Sequence, residues 1–295
     1  MERLGRGTNS MNTPRLNLTR RKFLTLVGIS GFGAALDARW LEPEWLGIGR
    51  HTVALGKGGD ATPLKILQLS DLHASKVVSL DFIAKAIRLG LSLKPDLVLL
   101  TGDFITRKFA QFERYTEILS PLARAAPCFA SLGNHDGGAW AGGRHGYADT
   151  AFVRKLLSNA GIELLYNQAT HLRIKDRNLR LVGLGDLWAS EFHPETAFTG
   201  ATTNPDETVL VLSHNPDTKD FLKSYAWDLL VCGHTHGGQF YLPLIGTPFA
   251  PVRDKRFVKG LHQWQGRWIH ITKGVGNLLG VRFNCRPELS LLTLV

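Results

Sequence analysis

The sequence predicts an α/β fold in which two β-sheets pack face to face and helices flank the sandwich. Three observations predict it. Five short apolar runs are each followed at once by Asp, His or Asn. Segments with helical apolar spacing separate the first three runs. From residue 162 onward, several strand-like segments follow one another, which the single alternation of a doubly wound sheet does not produce.

Leu64-Lys65-Ile66-Leu67-Gln68-Leu69 is the first run and ends at Ser70-Asp71-Leu72-His73. Residues 79–93 carry Leu80, Ile83, Ala84, Ile87 and Leu91 at helical spacing, and Pro95 stops that helix. Asp96–Leu100 forms the second strand and ends at Thr101-Gly102-Asp103. Residues 111–125 read as a helix, and Cys128–Leu132 as a strand ending at Gly133-Asn134-His135-Asp136. A Gly-rich loop over 137–146 precedes a helix near 149–160 and strands near 162–166, 171–175 and 179–184. Val209–Leu212 runs into Ser213-His214-Asn215-Pro216, and Leu229–Cys232 into Gly233-His234-Thr235-His236. Strand-like segments near 267–273 and 288–294 close the chain. Short runs without polar alternation suit strands covered on both faces.

Three organisational units are expected: a signal segment over 1–38, a linker over 39–63, Gly-rich from residue 47, and one domain over 64–295. Thr19-Arg20-Arg21-Lys22-Phe23-Leu24 opens a short apolar stretch softened by Gly28, Gly31 and Gly33. This order resembles a twin-arginine export signal. Cleavage after either Ala35 or Ala38, or retention as an anchor, is compatible with it. Trp40, Leu41, Trp45 and Leu46 suit a membrane interface or packing on the domain equally.

The 295 residues are 44% hydrophobic and 20% charged, which excludes a disordered, collagen-like or disulfide-stapled chain. The net charge is +10, of which +4 falls in residues 1–38. A mildly basic body suits anionic substrates or an anionic surface, without indicating nucleic acid. Cys128, Cys232 and Cys285 are widely spaced in small or apolar surroundings and read as buried thiols, not a zinc site.

The five strand ends would bring Asp71, His73, Asp103, Asn134, His214, His234 and His236 to one edge of the sheets, where α/β proteins bind ligands. Carboxylate, amide and imidazole together form a donor set for borderline divalent cations, more than one ion needs. A bridging carboxylate can hold two cations about 3.5–4 Å apart. Two such cations acidify a shared water to hydroxide near neutral pH, poised for in-line attack on phosphorus.

The order Asp-x-His, Gly-Asp, Gly-Asn-His-Asp, a lone His and Gly-His-x-His resembles the calcineurin-like metallophosphoesterase superfamily. With the leader, Ser213-His214-Asn215-Pro216-Asp217, Pro248–Arg256 and Asn284–Glu288, the likeness extends to its YaeI-type bacterial phosphodiesterases. The resemblance implies a four-layer αββα sandwich of two mixed sheets. It implies two divalent cations (Mn, Fe, Zn or Ni), the first held by Asp71, His73 and His236 and the second by Asn134, His214 and His234. Asp103 would bridge them. His135 would contact the phosphate, as a proton donor or only a hydrogen-bond donor, and Asp136 would support it. The implied partners are a phosphodiester substrate, the twin-arginine machinery and a peripheral membrane contact; the implied location is the periplasm or the outer face of the inner membrane. The alternatives are a pyrophosphatase on a nucleotide-linked lipid precursor and a non-catalytic metal-bound scaffold. His51, His171, His193, His262 and His270 read as structural. His145, the cluster Arg253, Lys255 and Arg256, and Trp188 are secondary candidates for a substrate groove.

Overall fold

The computed structural model describes residues 19–56, 62–200, 204 and 206–295. Residues 1–18 of the expected signal and 57–61 of the expected linker lie outside them. Helix α1, Arg20–Leu36, forms a unit by itself and exposes Phe23, Leu24, Val27, Ile29 and Phe32. No helix among the described residues is long and apolar enough to cross a membrane.

The second unit, Asp37–Val295, is the sandwich. In chain order its elements are β1 (Gly47–Val53), β2 (Leu64–Leu69), α2 (Leu80–Leu91), β3 (Leu97–Thr101), α3 (Phe112–Ala125), β4 (Cys128–Ser131), α4 (Gly138–Gly142) and α5 (Ala151–Asn159). There follow β5 (Glu163–Leu164), β6 (Gln168–Ile174), β7 (Arg177–Gly183), α6 (Pro194–Ala197), β8 (Glu207–Leu212), β9 (Leu229–Cys232), β10 (Gly260–Trp264), β11 (Arg267–Ile271) and β12 (Glu288–Leu294). One sheet has the order β1-β12-β2-β3-β4-β5 and the other β10-β11-β9-β8-β7-β6. Both are mixed: β2, β3 and β4 run parallel with β12 antiparallel beside them, while β7, β8, β9 and β11 run parallel between antiparallel edges.

Alternate residues of the central strands serve two interiors. Ile66, Leu97 and Leu99 meet Leu179, Leu210, Leu212 and Leu229 between the sheets. Leu67, Val98 and Leu100 point the other way, onto Ile83 and Ile87 of α2, Leu119 of α3 and Leu156 of α5. Each fully buried Leu or Ile contributes roughly 1.5–3 kcal/mol. The outer face of the second sheet packs Val182, Val211 and Leu230 against Trp227 and Phe257. Ser79 caps α2 by accepting from the Phe82 amide at 3.2 Å.

The expected linker over 39–63 is corrected. Residues 47–53 are strand β1, paired in parallel with β12 from Gly47↔Glu288 to Val53↔Leu294. The expected start of the domain at 64 moves with it. Upstream, buried Glu42 accepts from the amides of Asn284 and Cys285 and ties this segment to the C-terminal region. Glycine and half-exposure make β1 read as a linker, because an edge strand with no buried stripe carries little periodicity. Trp40 and Trp45 are exposed, yet Arg39 lies over the first ring and Arg286 over the second.

Candidate metal centre

The C-terminal ends of β2, β3, β4, β8 and β9 deliver the site. Asp71, His73, Asp103, His234 and His236 all adopt left-handed backbone, with φ between 48° and 69°. That conformation costs an L-residue about 1–2 kcal/mol. Lacing between loops holds it. The amides of Asp71 and His73 each donate at 2.9 Å, to the carbonyls of Gly102 and Asp103. The His234 amide donates to the Asp71 carboxylate at 3.1 Å, and the His135 amide to Asp103 Oδ1 at 2.9 Å. Gly102 turns at φ 83°. Gly133 and Gly233 have ordinary backbone and are needed for room: a Cβ there would collide with Asp103 Oδ1 and Ser70 Oγ.

With Oδ1 occupied, Asp103 Oδ2 faces two imidazoles, His73 Nε2 at 3.3 Å and His214 Nε2 at 3.1 Å. His214 Nδ1 donates to the Thr101 carbonyl at 2.7 Å, which fixes the ring and sets Nε2 toward Asp103. His236 Nε2 lies 3.4 Å from Asp71 Oδ1. Two overlapping groups result, Asp71–His73–His236 and Asp71–Asp103–His214, each with ligand atoms within 4.8 Å of one another. Asn134, His135 and His234 line the same cavity as Asp103 and His236.

Burial and neighbouring imidazoles hold His234 and His236 well below the usual histidine range, so both are neutral. Burial lowers His135 to about 4. Burial also opposes charge on Asp103 and His214, but their mutual attraction outweighs it, holding the carboxylate low and the imidazole high. Burial, with Asp103 nearby, raises Asp71. Asn134 Oδ1 and His234 Nε2 are buried with no hydrogen-bond partner. Lone pairs without donors, beside two carboxylates, are what a divalent cation satisfies, and the residues present fit one.

The profile of the calcineurin-like phosphoesterase family matches residues 64–238. The chain belongs to that family. It is 45% identical to phosphodiesterase YaeI of Escherichia coli, over 94% of this chain and all of that one. It is 31% identical to the UDP-2,3-diacylglucosamine pyrophosphatase LpxG of Chlamydia trachomatis, over 86% of this chain and 91% of that one. An uncharacterized Bacillus subtilis metallophosphoesterase, YkuE, is 29% identical over 94% and 98% of the two chains.

Asp136, beside His135, is engaged by backbone amides. Its carboxylate accepts from the amides of Asp103, Phe104, Ile105 and Gly133, clasping the β3 and β4 loops together. Several secondary candidates lie elsewhere. His145 is exposed and does not line the cavity. Arg256 pairs with Asp254 at 2.6 Å, and Lys255 donates to the Ala250 carbonyl. His51, His270 and Glu288 form a separate group, in which Lys273 already supplies the cation, 2.7 Å from Glu288.

Trp188, a secondary candidate in the sequence, lines the cavity and packs edge-on against His234 with centroids 4.3 Å apart. The sequence reading missed other site residues. Trp140 packs edge-on against His135 at 4.6 Å. With Phe240, Phe249, Leu278 and Leu279 the two tryptophans wall a cavity of about 530 Å³. Asp186 accepts from the amides of Trp188 and Ala189 and so sets the Trp188 loop. Gly185-Asp186 after β7 repeats Gly102-Asp103 after β3, a signal that could have found it. Arg282, fully buried, donates to the carbonyls of His236, Lys273, Gly274, Gly276 and Cys285. No sequence pattern marks it.

Proposed function

We propose that this phosphoesterase hydrolyses phosphodiesters with two divalent cations. Asp71, His73 and His236 would hold the first, Asn134, His214 and His234 the second, and Asp103 would bridge them. The observation that carries this is Asp103 Oδ2, within 3.3 Å of one imidazole from each set. Bound there, the cations would draw charge from the phosphoryl oxygens and acidify a water. The chain's own residues do the rest. His135 Nδ1 donates to the Thr106 carbonyl at 2.9 Å, which fixes the ring and leaves Nε2 as the atom that takes or gives a proton. A bound phosphoryl anion would raise that nitrogen from its value of about 4. Trp140 and Trp188 hold the rings of His135 and His234 edge-on and shield them from water.

A second reading, pyrophosphate hydrolysis on a lipid-linked substrate, draws support from the likeness to LpxG and from the apolar cavity walls. A non-catalytic scaffold draws none, since the complete ligand set and His135 are present. The paired arginines support export by the twin-arginine route to the periplasm or the outer face of the inner membrane, and exposed Trp40 and Trp45 support a peripheral membrane contact. Metal analysis combined with assays on diester, monoester and pyrophosphate substrates tests the reading. Two ions per chain and preferred diester cleavage are expected; a metal-free active enzyme, or monoester preference, would overturn it.

A further inference from the structure

Four loops at the centre carry buried aspartates, and the carboxylates are used differently. Asp71 accepts from the His234 amide, and Asp103 Oδ1 from the His135 amide. Asp136 engages four amides with its two oxygens. Asp186, 1% exposed, accepts from the amides of Trp188 and Ala189 with Oδ1 alone, at 2.7 and 2.9 Å. Among the described residues, its Oδ2 is the one buried carboxylate oxygen without a hydrogen-bond partner.

Strand register places Asp186 beside the second ligand set. β7 and β8 run parallel with Gly183 opposite Leu212, and the Leu184 amide donates to the Leu212 carbonyl at 3.0 Å. Asp186 and His214 therefore leave the same ends of neighbouring strands. Burial raises the Asp186 carboxyl to about 6; among its charged neighbours, His214 opposes that rise and Asp103 adds to it. No lysine or arginine pairs with Asp186 among the described residues. Capping the Trp188 loop needs one oxygen, and an amide would supply it. Asn215 caps the loop after β8 in that way, its Oδ1 accepting from the Asp217 amide at 2.9 Å. A carboxylate at 186 adds a charge that the cap does not use, and an uncompensated buried charge is costly. A divalent cation held by Asn134, His214 and His234 would compensate it.

We propose that Asp186 is the buried counter-charge of the second cation, strengthening its binding from behind His214 while its other oxygen holds the Trp188 loop. This rests on the two-cation reading and names a residue outside that ligand set. Asp186 does not line the substrate cavity, so it acts through the ion and its ligands as a positioning residue. Outer carboxylates of this kind change metal affinity by roughly ten- to a hundredfold.

The test pairs Asp186→Asn, which keeps Oδ1 as an acceptor and removes only the charge, with Asp186→Ala, which removes both. Metal-stripped proteins are titrated with Mn²⁺ by calorimetry, and Tm is read with and without the ion. One of the two Kd values should rise about tenfold or more in both variants, and the other should stay within about threefold of the parent. The Kd that rises should be the one lost in Asn134→Ala. Tm should shift in opposite senses in D186N: equal to or above the parent in the stripped protein, and below it with Mn²⁺. A residue that only caps its loop gives parental Kd values in D186N and a defect confined to D186A, and that result would overturn the inference. A stripped D186N protein that melts below the parent would overturn it as well. If the parent binds fewer than two ions, the two-cation reading fails and the inference with it; two ions bound equally well by D186N refute the inference alone.

Discussion

His73 Nε2 and His236 Nε2 face each other at 3.1 Å inside the protein. The Thr106 hydroxyl lies 3.2 Å from His73 Nδ1 and 3.3 Å from the His73 carbonyl, which holds the ring with Nε2 toward His236. Carboxylate oxygens of Asp71 and Asp103 stand within 4.0 Å of these nitrogens. Two nitrogens and two oxygens, collected on strained backbone, form a candidate cation site.

Chelation should therefore destabilise the fold. A cation present at a hundredfold excess over its Kd adds about 2.7 kcal/mol. At about 2–4 °C per kcal/mol for a domain of this size, removal should lower Tm by roughly 5–10 °C. Scanning calorimetry with and without EDTA checks it; an unchanged Tm would speak against tight binding.

Asp103→Asn should damage both halves of the site, because Oδ2 faces His73 and His214 together. Bound metal per chain is the measurement. Two ions held at parental affinity would remove the bridging assignment.

His135→Ala should keep its metal and lose turnover by roughly 10²–10⁴, the range for a group that moves a proton. Loss of metal instead would make His135 a ligand.

Arg282→Ala should destabilise by about 3 kcal/mol or more, since each buried carbonyl left without a donor costs about 1–3 kcal/mol. Urea unfolding reads this; a change below about 1 kcal/mol would mean that water replaces the guanidinium.

Replacing Arg20-Arg21 by Lys-Lys should hold the protein in the cytoplasm, if the pair is read as an address and not as charge. Cell fractionation checks it, independently of the enzyme.

What could be read from the sequence follows from burial. Parallel strands covered on both faces appear as bare apolar runs, and their ends announce Asp71, Asp103, Asn134, His214 and His234. The half-buried strands β1 and β10 lack that contrast. The β10–β11 hairpin turns on Gln265-Gly266, both at positive φ, a weaker signal than Asn-Gly. Trp140 sits alone among glycines, so no periodicity points to it. Charge near the phosphate was expected from Arg253 or Arg256. Arg256 is instead paired with Asp254, and Arg107 and Lys108 line a neighbouring cavity with Thr106.

Two cations acting together on a phosphodiester would leave a stoichiometric signature. The most direct measurement titrates metal-stripped protein with Mn²⁺ while following bound metal and bis(4-nitrophenyl) phosphate cleavage together. Little activity is expected with one equivalent bound, and full activity as the second binds. Full activity in the stripped protein, or saturation at one equivalent, would contradict it.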